Sequence, residues 1–180
     1  MAQRNILQFI ILGLLNQRKL TGYELTKAFD SDIGEFWSAQ HSQIYPQLRK
    51  LEEAGLITHQ DELSGEKLNR KRYAVTPSGS DKLNAWLGAD SAPAAPGKDE
   101  FPLKLYFIRG AGDSRLPKML QTQQQIHEDK LAHLKQQMMT KFPKGYGKND
   151  FGHFLVLDYA IRRETAYCEW LGSALAQIPR

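Results

Sequence analysis

The sequence has little of what disulfide-stabilised, metal-clustered or membrane-spanning proteins need. Cys168 is the only cysteine among 180 residues, so the chain can form neither an intrachain disulfide nor a cysteine-based metal cluster. No apolar run approaches the roughly 18–20 residues that cross a bilayer. The apolar stretch at residues 6–15 is interrupted by Gln8 and Gly13 and precedes no cleavage site, which favours a buried helix over a signal peptide. We therefore expect a cytoplasmic protein.

The first half of the chain also lacks an excess of either charge. Residues 1–90 carry 11 Lys or Arg and 11 Asp or Glu, whereas residues 91–180 carry 13 and 9 and supply the whole net charge of +4. Any nucleic-acid binding by the first half must therefore depend on local clusters of cations and not on overall basicity.

Signatures of enzymes and metal sites are missing as well. The sequence holds no Gly-rich phosphate loop and no Ser-His-Asp order. Its five histidines are scattered, and the closest pair, His127 and His133, would lie on opposite sides of a helix. We therefore expect neither an enzyme nor a metal or cofactor site.

A break in composition divides the chain. Small residues and two prolines fill the stretch from Gly88 to Gly97, which has little to bury. This pattern predicts a first domain at residues 1–88, a linker at 89–98 and a second domain at 99–180.

The first domain opens with two predicted helices. Apolar residues recur at helical spacing over residues 6–15. Thr21 and Glu24 then have the spacing of a capping box, in which each side chain bonds the other residue's backbone N–H at a helix start. The second helix is therefore predicted to begin at this pair.

A third predicted helix has two different sides. Ile44, Leu48 and Leu51 form one apolar stripe at steps of four and three. Because Pro46 has no N–H, it is tolerated only near a helix start, which predicts a beginning at residues 40–43.

After Gly55, a natural helix stop, the pattern changes to that of a hairpin. Two short β-type runs, residues 56–60 and 72–76, flank a turn at Ser64-Gly65. Thr76-Pro77 then begins a fourth helix as N-cap and first residue. Three apolar side chains of this helix are expected to face inward: Leu83, Trp86 and Leu87. The order predicts a mainly α fold with a small β-hairpin wing, that is, a winged helix-turn-helix domain.

Two clusters of polar and cationic residues in this domain have the chemistry of a DNA-binding surface. The polar side of the third helix carries short polar and cationic side chains, which fit base edges and phosphates, although an ordinary solvated face has the same composition. A basic cluster follows on the second arm of the hairpin, where a wing reaches the neighbouring backbone or minor groove; a charged edge strand that prevents aggregation would look similar. The candidate DNA-contacting residues are Gln40, His41, Ser42, Gln43, Tyr45, Arg49 and Lys50 in the helix and Lys67, Arg70, Lys71 and Arg72 in the hairpin.

The second half is predicted to be nearly all helix. One segment repeats apolar residues at steps of four and three, a heptad-like seam with polar residues in its middle. The seam consists of Leu116, Leu120, Gln123, His127, Leu131, Leu134 and Met138. After a loop at residues 142–147, residues 151–178 are apolar on several faces, which is typical of a helix buried by more than one neighbour.

Three segments carry a family resemblance: Gly22-Tyr23-Glu24-Leu25, the stretch from Gln43 to Ile57, and the stretch from Arg72 to Gly79. Together they resemble the signature of the PadR family, bacterial regulators named for the control of phenolic acid metabolism. The match runs from residue 5 to about residue 87. The second half is similar to the longer helical C-terminal domain of the subgroup that includes virulence activators.

The resemblance implies a homodimer joined through its C-terminal helices. Two recognition helices would then meet a pseudo-palindromic operator in double-stranded DNA, with half-sites about 34 Å apart. It also implies a repressor that a small effector releases in many members, and it adds Tyr23 to the DNA-contacting residues. Residues 40–42 vary in the family, so the operator sequence does not follow. The candidate dimerisation residues are Leu116, Leu120, His127, Leu131, Leu134, Met138, Leu155, Ile161 and Leu171.

An effector site is a further expectation from the resemblance, because members that bind phenolic acids hold the ligand between the two domains. Such a site needs aromatic walls and a cation or His for a carboxylate. The candidates are Trp37, Tyr106, His127, His153, Tyr159 and Arg162. Each one alone is better explained as a core aromatic or, for His127, as a polar residue of the dimer seam.

Other functions remain open at this point. A ligand-gated regulator of the MarR type would carry dimer helices on both sides of the winged helix, whereas almost all additional helix here is C-terminal. A ligand-independent transcription activator has the same sequence features as a repressor. A winged-helix protein-interaction module stays open because residues 1–90 are neutral.

Overall fold

The structure is a computed structural model that describes residues 5–30, 33–34, 37, 41–64, 68–91 and 99–179. The chain divides into two compact units, residues 1–94 and 95–180. In the described part of the chain, no helix is both long and apolar enough to cross a membrane.

The described residues of the first unit form four helices and a small antiparallel sheet with strand order β1-β3-β2. The elements are α1 Ile6–Gln17, β1 Leu20–Thr21, α2 Gly22–Asp30, α3 His41–Glu53, β2 Ile57–Ser64, β3 Leu68–Val75 and α4 Pro77–Leu87. The predicted helix order and the hairpin are confirmed. Strand β1, which pairs Leu20 with Tyr73, was not predicted, because two residues show no periodicity.

Local hydrogen bonds fix the start of α2, as the capping box predicted. The backbone N–H of Thr21 donates to Glu24 Oε2 at 2.7 Å, and the backbone N–H of Glu24 donates to Thr21 Oγ1 at 3.2 Å. Two donors that the helix start leaves without an intrahelical partner are therefore satisfied.

Helix α3 ends in a Schellman motif at the predicted glycine. Gly55 has a φ of 67°, and its N–H donates to Glu52 O at 2.9 Å. The N–H of Leu56 donates to Leu51 O, also at 2.9 Å. A side chain at position 55 would strain this left-handed backbone, so the chain can leave α3 at this angle because a glycine is present.

Helix α4 begins as predicted and packs very closely on the end of α3. Thr76 Oγ1 accepts the N–H of Gly79 at 3.1 Å and donates to Gly55 O at 2.7 Å. A Cβ on Gly79 would lie 2.0 Å from Leu56 O, so only glycine allows this approach.

The core of the first unit collects the apolar faces of its helices and the sheet. Ile44, Leu48 and Leu51 of α3 are buried, as their stripe predicted. Trp86 stacks on Phe9 at a centroid distance of 4.7 Å. Leu87, by contrast, is 65% exposed, so its predicted inward orientation is wrong; it lies at the last residue of α4, where the apolar face ends.

The second unit is built on a helical hairpin. Its elements are α5 Glu100–Tyr106, α6 Leu116–Lys141 and α7 Phe151–Ala176, and α6 packs along α7. Leu120 and Leu171 share one core cluster, and Leu134 and Leu157 share another. The two helices therefore run antiparallel.

Between these two clusters lies a polar layer, formed by His127 and Glu164. His127 Nδ1 lies 2.6 Å from Glu164 Oε2. This layer is seven residues from the leucine layers on each helix, so three layers follow one another at the same step. The polar middle of the predicted seam is thus a contact within the chain.

Residues of the predicted seam therefore pack against helices of their own chain. Leu120, Leu134 and Leu171 are almost fully buried against their own unit, which makes them core residues and leaves no surface for a partner. Among the other candidate dimerisation residues, Leu155 is 47% exposed. The rest are half-buried: Leu116, His127, Leu131, Met138 and Ile161.

Candidate nucleic-acid interface

The polar side of α3 is exposed, as a recognition helix requires. Ser42, Gln43, Tyr45, Arg49 and Lys50 are all exposed, opposite the buried stripe. His41 is the first residue of the helix, and Gln40 lies outside the described residues. The helix therefore offers hydroxyl, amide and cationic groups on one surface.

Residues from three elements meet in a groove beside this helix. The groove has a volume of about 740 Å³, and its lining includes Tyr23 of α2, Tyr45 and Arg49 of α3, and Arg70 and Lys71 of β3. All five were candidate DNA-contacting residues. The fold brings together side chains that are up to 48 positions apart in the sequence.

A glycine allows this arrangement at the start of α2. A Cβ on Gly22 would lie 2.6 Å from Cε1 of Tyr45 and 3.1 Å from its hydroxyl oxygen, so the tyrosine ring rests against the glycine backbone. Tyr45 is nevertheless 55% exposed, and Tyr23 beside it is 69% exposed. Gly22 therefore positions an exposed phenol at the edge of the groove.

The wing presents two available cations. Arg70 and Lys71 are exposed, and neither forms an ion pair with a described residue. They lie opposite Glu62 and Asp61 on β2, so the hairpin as a whole is close to neutral. Lys67 of the predicted cluster lies outside the described residues.

Arg72 differs from its two neighbours because carboxylates match its charge. Its Nε donates to Glu62 Oε1 at 2.6 Å, and its Nη1 donates to Glu24 Oε2 at 3.1 Å and to Lys19 O at 3.3 Å. The backbone N–H of Thr21, then its side chain and after it Arg72, lower the pKa of the Glu24 carboxyl. Arg72 thus ties β3 to the start of α2, a bracing role that the basic cluster did not predict.

The inner wall of the groove carries a carboxylate that sequence reasoning missed. Glu52 and Tyr73 both line the groove, and Glu52 Oε1 bonds His59 Nδ1 on β2. The ring of His59 in turn lies 5.8 Å from that of Tyr73. This chain of contacts holds α3 against the sheet behind the cationic edge; no local signal marks it, because it joins α3 to two strands.

The candidate effector residues are dispersed. Trp37 is an exposed residue of the first unit. In the second unit, Tyr106 and Tyr159 are mostly exposed, and Arg162 pairs with Asp158 at 2.8 Å. His153 packs edge-on against Phe142, and His127 is held by Glu164. The second unit does contain a cavity of about 1020 Å³, but its lining includes none of the effector candidates.

A helical core, a β-hairpin beside it and the exposed polar side of α3 define a winged helix-turn-helix protein. The model of the transcriptional regulator PadR-like family matches residues 11–85, and the model called virulence activator alpha C-term matches residues 98–178. The chain is 40% identical to the negative transcriptional regulator PadR of Bacillus subtilis over 97% of this chain and 98% of the relative. It belongs to the PadR-like family of transcriptional regulators.

Solved structures agree over the same extent. Bacillus subtilis PadR in complex with operator DNA superposes with a TM-score of 0.91 at 38% identity, covering 98% of this chain and 99% of the other. The complex of Bacillus subtilis PadR with p-coumaric acid has a TM-score of 0.84 at 38% identity and covers 97% and 99% of the two chains. The mainly helical fold with a small wing is thereby confirmed.

Proposed function

We propose that the protein is a repressor that binds operator DNA as a homodimer, with one winged helix in each half-site. The observation that carries this proposal is the groove in which Tyr23, Tyr45, Arg49, Arg70 and Lys71 converge. Hydroxyl and cationic groups at such an edge suit phosphates, and the neighbouring polar side of α3 suits base edges in the major groove. A relative that forms a complex with operator DNA supports the same assignment.

The dimer is proposed from the apolar surface of the second unit. A hairpin of two long helices buries only one side of each, and several large apolar side chains of α6 and α7 are left about half exposed or more. They are Ile126, Met139, Leu155, Tyr159 and Trp170. Apolar surface of this kind marks an interaction site, and a second copy of the same hairpin offers a matching one.

We also propose that a small phenolic acid releases the protein from DNA. A relative covering nearly the whole chain crystallises with p-coumaric acid, which supports an effector of that class. Such a ligand shifts the equilibrium only by the difference between its affinities for the free and the DNA-bound form. We further propose that the protein has no catalytic activity and works in the cytoplasm, where bacterial operator DNA lies.

A matched pair of lysine variants tests DNA binding. Lys71 lines the groove, whereas Lys82 is an exposed lysine of α4 in the same unit. Lys71→Ala is expected to weaken binding to DNA from the protein's own promoter region, while Lys82→Ala leaves it unchanged. In the Arg70→Ala/Lys71→Ala variant the dimer loses four cations, so the slope of log affinity against log salt should fall by about 3.6, since each phosphate contact contributes about 0.9. Fluorescence anisotropy at several salt concentrations measures both quantities.

Two results would contradict the proposal. Equal affinities of the Lys71→Ala and Lys82→Ala variants at every salt concentration would remove the wing from the interface. Binding with no sequence preference would favour a protein-interaction module.

A further inference from the structure

We propose that Arg72 is a positioning residue for DNA binding, which holds the Glu62 carboxylate away from Arg70 and so keeps the Arg70 cation available to phosphate. This inference rests on the proposed function, since it concerns how the groove beside α3 keeps its positive charge. Arg70 lines that groove, whereas Arg72 and Glu62 are not part of its lining. Arg72 therefore acts on DNA binding through its neighbours and not by a contact of its own.

The register of the hairpin places Glu62 within reach of two arginines. Glu62 lies directly opposite Arg70, and Gln60 lies opposite Arg72. Because Arg70 and Arg72 are two residues apart on β3, both side chains leave the sheet on the face from which Glu62 extends. The directly opposite arginine is the nearer partner, while the diagonal one is still within reach of long side chains. The register alone would therefore predict a pair between Glu62 and Arg70.

The structure shows the diagonal pair instead. Arg72 Nε donates to Glu62 Oε1 at 2.6 Å, and Arg70 forms no ion pair with a described residue. The Arg70 side chain is exposed and lines the groove. The contact with Arg72 thus takes from Arg70 the carboxylate that the register places opposite it.

Arg72 is the stronger partner because its guanidinium is also held from the other side. Its Nη1 donates to Glu24 Oε2 at 3.1 Å and to Lys19 O at 3.3 Å, and its side chain is only 29% exposed. A guanidinium has five N–H donors in a rigid fork, so it can serve these acceptors and Glu62 together. A pair between Glu62 and the exposed Arg70 would have to order two solvated side chains for a small gain.

Loss of Arg72 should reverse this pairing. Glu62 would then pair with Arg70, which lies directly opposite on the neighbouring strand. An arginine that is already paired with a carboxylate has to give up that pair before it can neutralise a phosphate. Its contribution to the salt dependence of DNA binding therefore shrinks.

Arg72→Met tests this in the full-length protein, because methionine is long and unbranched but has no N–H donor. The probe is duplex DNA from the protein's own promoter region, and fluorescence anisotropy at several salt concentrations gives the affinity. In a dimer the slope of log affinity against log salt should become shallower by about 1 to 2, since each of the two Arg70 contacts contributes about 0.9. Adding Glu62→Gln to Arg72→Met removes the released carboxylate, so the slope should return to that of the wild type.

Two further variants separate positioning from other roles. Arg72→Met/Glu53→Gln removes a carboxylate at the exposed end of α3 and should leave the slope shallow, which controls for net charge. Arg72→Lys should keep a slope near that of the wild type, because an ammonium group can still pair with Glu62. The melting temperature of each variant is measured alongside, since a purely structural brace would lower stability and leave the slope unchanged.

The outcomes distinguish this inference from the proposed function. A wild-type slope in folded Arg72→Met would overturn the inference and leave DNA binding standing. A shallow slope that Glu62→Gln does not restore would overturn it as well, because Arg72 would then contact phosphate itself. Wild-type protein that binds all duplexes equally would contradict the proposed function, yet a slope lost in Arg72→Met and restored by Glu62→Gln would still support the inference. Wild-type protein that binds no DNA would overturn both.

Discussion

At the scale of single residues, contacts decide which cations are available. Arg70, Lys71 and Arg72 are adjacent and look equivalent in the sequence, yet Arg72 is held by two carboxylates and the other two are not. Lys71 lies on the other face of the strand from Arg72, and Arg72 reaches Glu24 at the start of a neighbouring element. Only the folded chain shows that Arg72 braces the fold while Arg70 and Lys71 form no ion pair with a described residue.

Gly22→Ala tests the positioning of Tyr45. The new Cβ would meet the tyrosine ring at 2.6 Å, so the ring has to move away from the groove edge. We expect operator affinity to fall several-fold while the melting temperature changes little, because alanine is tolerated in the first turn of a helix.

Gly13→Ala is the matched control. A Cβ on Gly13 of α1 meets no atom within 4 Å, so this variant should gain about 1 kcal/mol of stability and keep full operator affinity. Anisotropy and thermal melting of the two variants give both readouts. Unaltered DNA affinity in Gly22→Ala would show that the place of Tyr45 does not matter for binding.

At the scale of elements, the polar layer of the second unit buries a carboxylate, which is unfavourable, and surrounds it with hydrogen bonds, which compensate. Glu164 is almost completely buried, and Lys130 and Arg163 reach its Oε1 at 2.9 and 3.0 Å while His127 reaches its Oε2. Burial alone would raise the pKa of this carboxyl, but the hydrogen bonds with His127, Lys130 and Arg163 outweigh it and hold the pKa at about 2. The layer thus replaces a third leucine pair by a contact that fits only one register.

A pH dependence follows from this carboxyl. Because the folded chain holds the pKa at about 2, below the ordinary 4.5, folding is favoured while Glu164 is charged. The contribution is complete above about pH 5 and is lost as the pH falls towards 2; a shift of this size corresponds to roughly 3 kcal/mol. Urea unfolding at fixed protomer concentration, compared between pH 7 and pH 3, measures the loss.

Two glutamine variants isolate the effect. Glu164→Gln should be less stable at pH 7 and should lose less stability on acidification than the wild type. Glu169→Gln, on an exposed glutamate of α7, should behave like the wild type at both pH values. If acidification lowered the free energy of unfolding of all three proteins equally, Glu164 would not be the source of the pH dependence.

At the scale of the whole molecule, assembly is the main expectation. The first unit has a core of its own, and the large exposed apolar side chains of α6 and α7 lie on the second. We expect the full chain to sediment as a dimer and a fragment ending at Gly88 to sediment as a monomer. A stable dimer of the fragment would contradict dimerisation through α6 and α7.

The same scale shows how far sequence reasoning reached. The helix ends at Thr21, Gly55 and Thr76 were predictable, because capping uses residues close together in the chain. Strand β1 and the contact between Glu52 and His59 were not, since they depend on pairing across long separations. The seam on α6 was visible as a pattern, but periodicity shows that a face is buried and not what covers it.

The equal spacing of the layers makes the hairpin of α6 and α7 extendable. Seven residues added to each helix at matching points would lengthen it by about 10 Å and keep every existing pair opposite its partner. Seven added to one helix alone would shift every layer beyond the insertion out of register with its partner. If the hairpin sets the distance between the two DNA-binding units of a dimer, paired insertions would change that distance in steps. Each step would change the spacing of the half-sites that the protein binds.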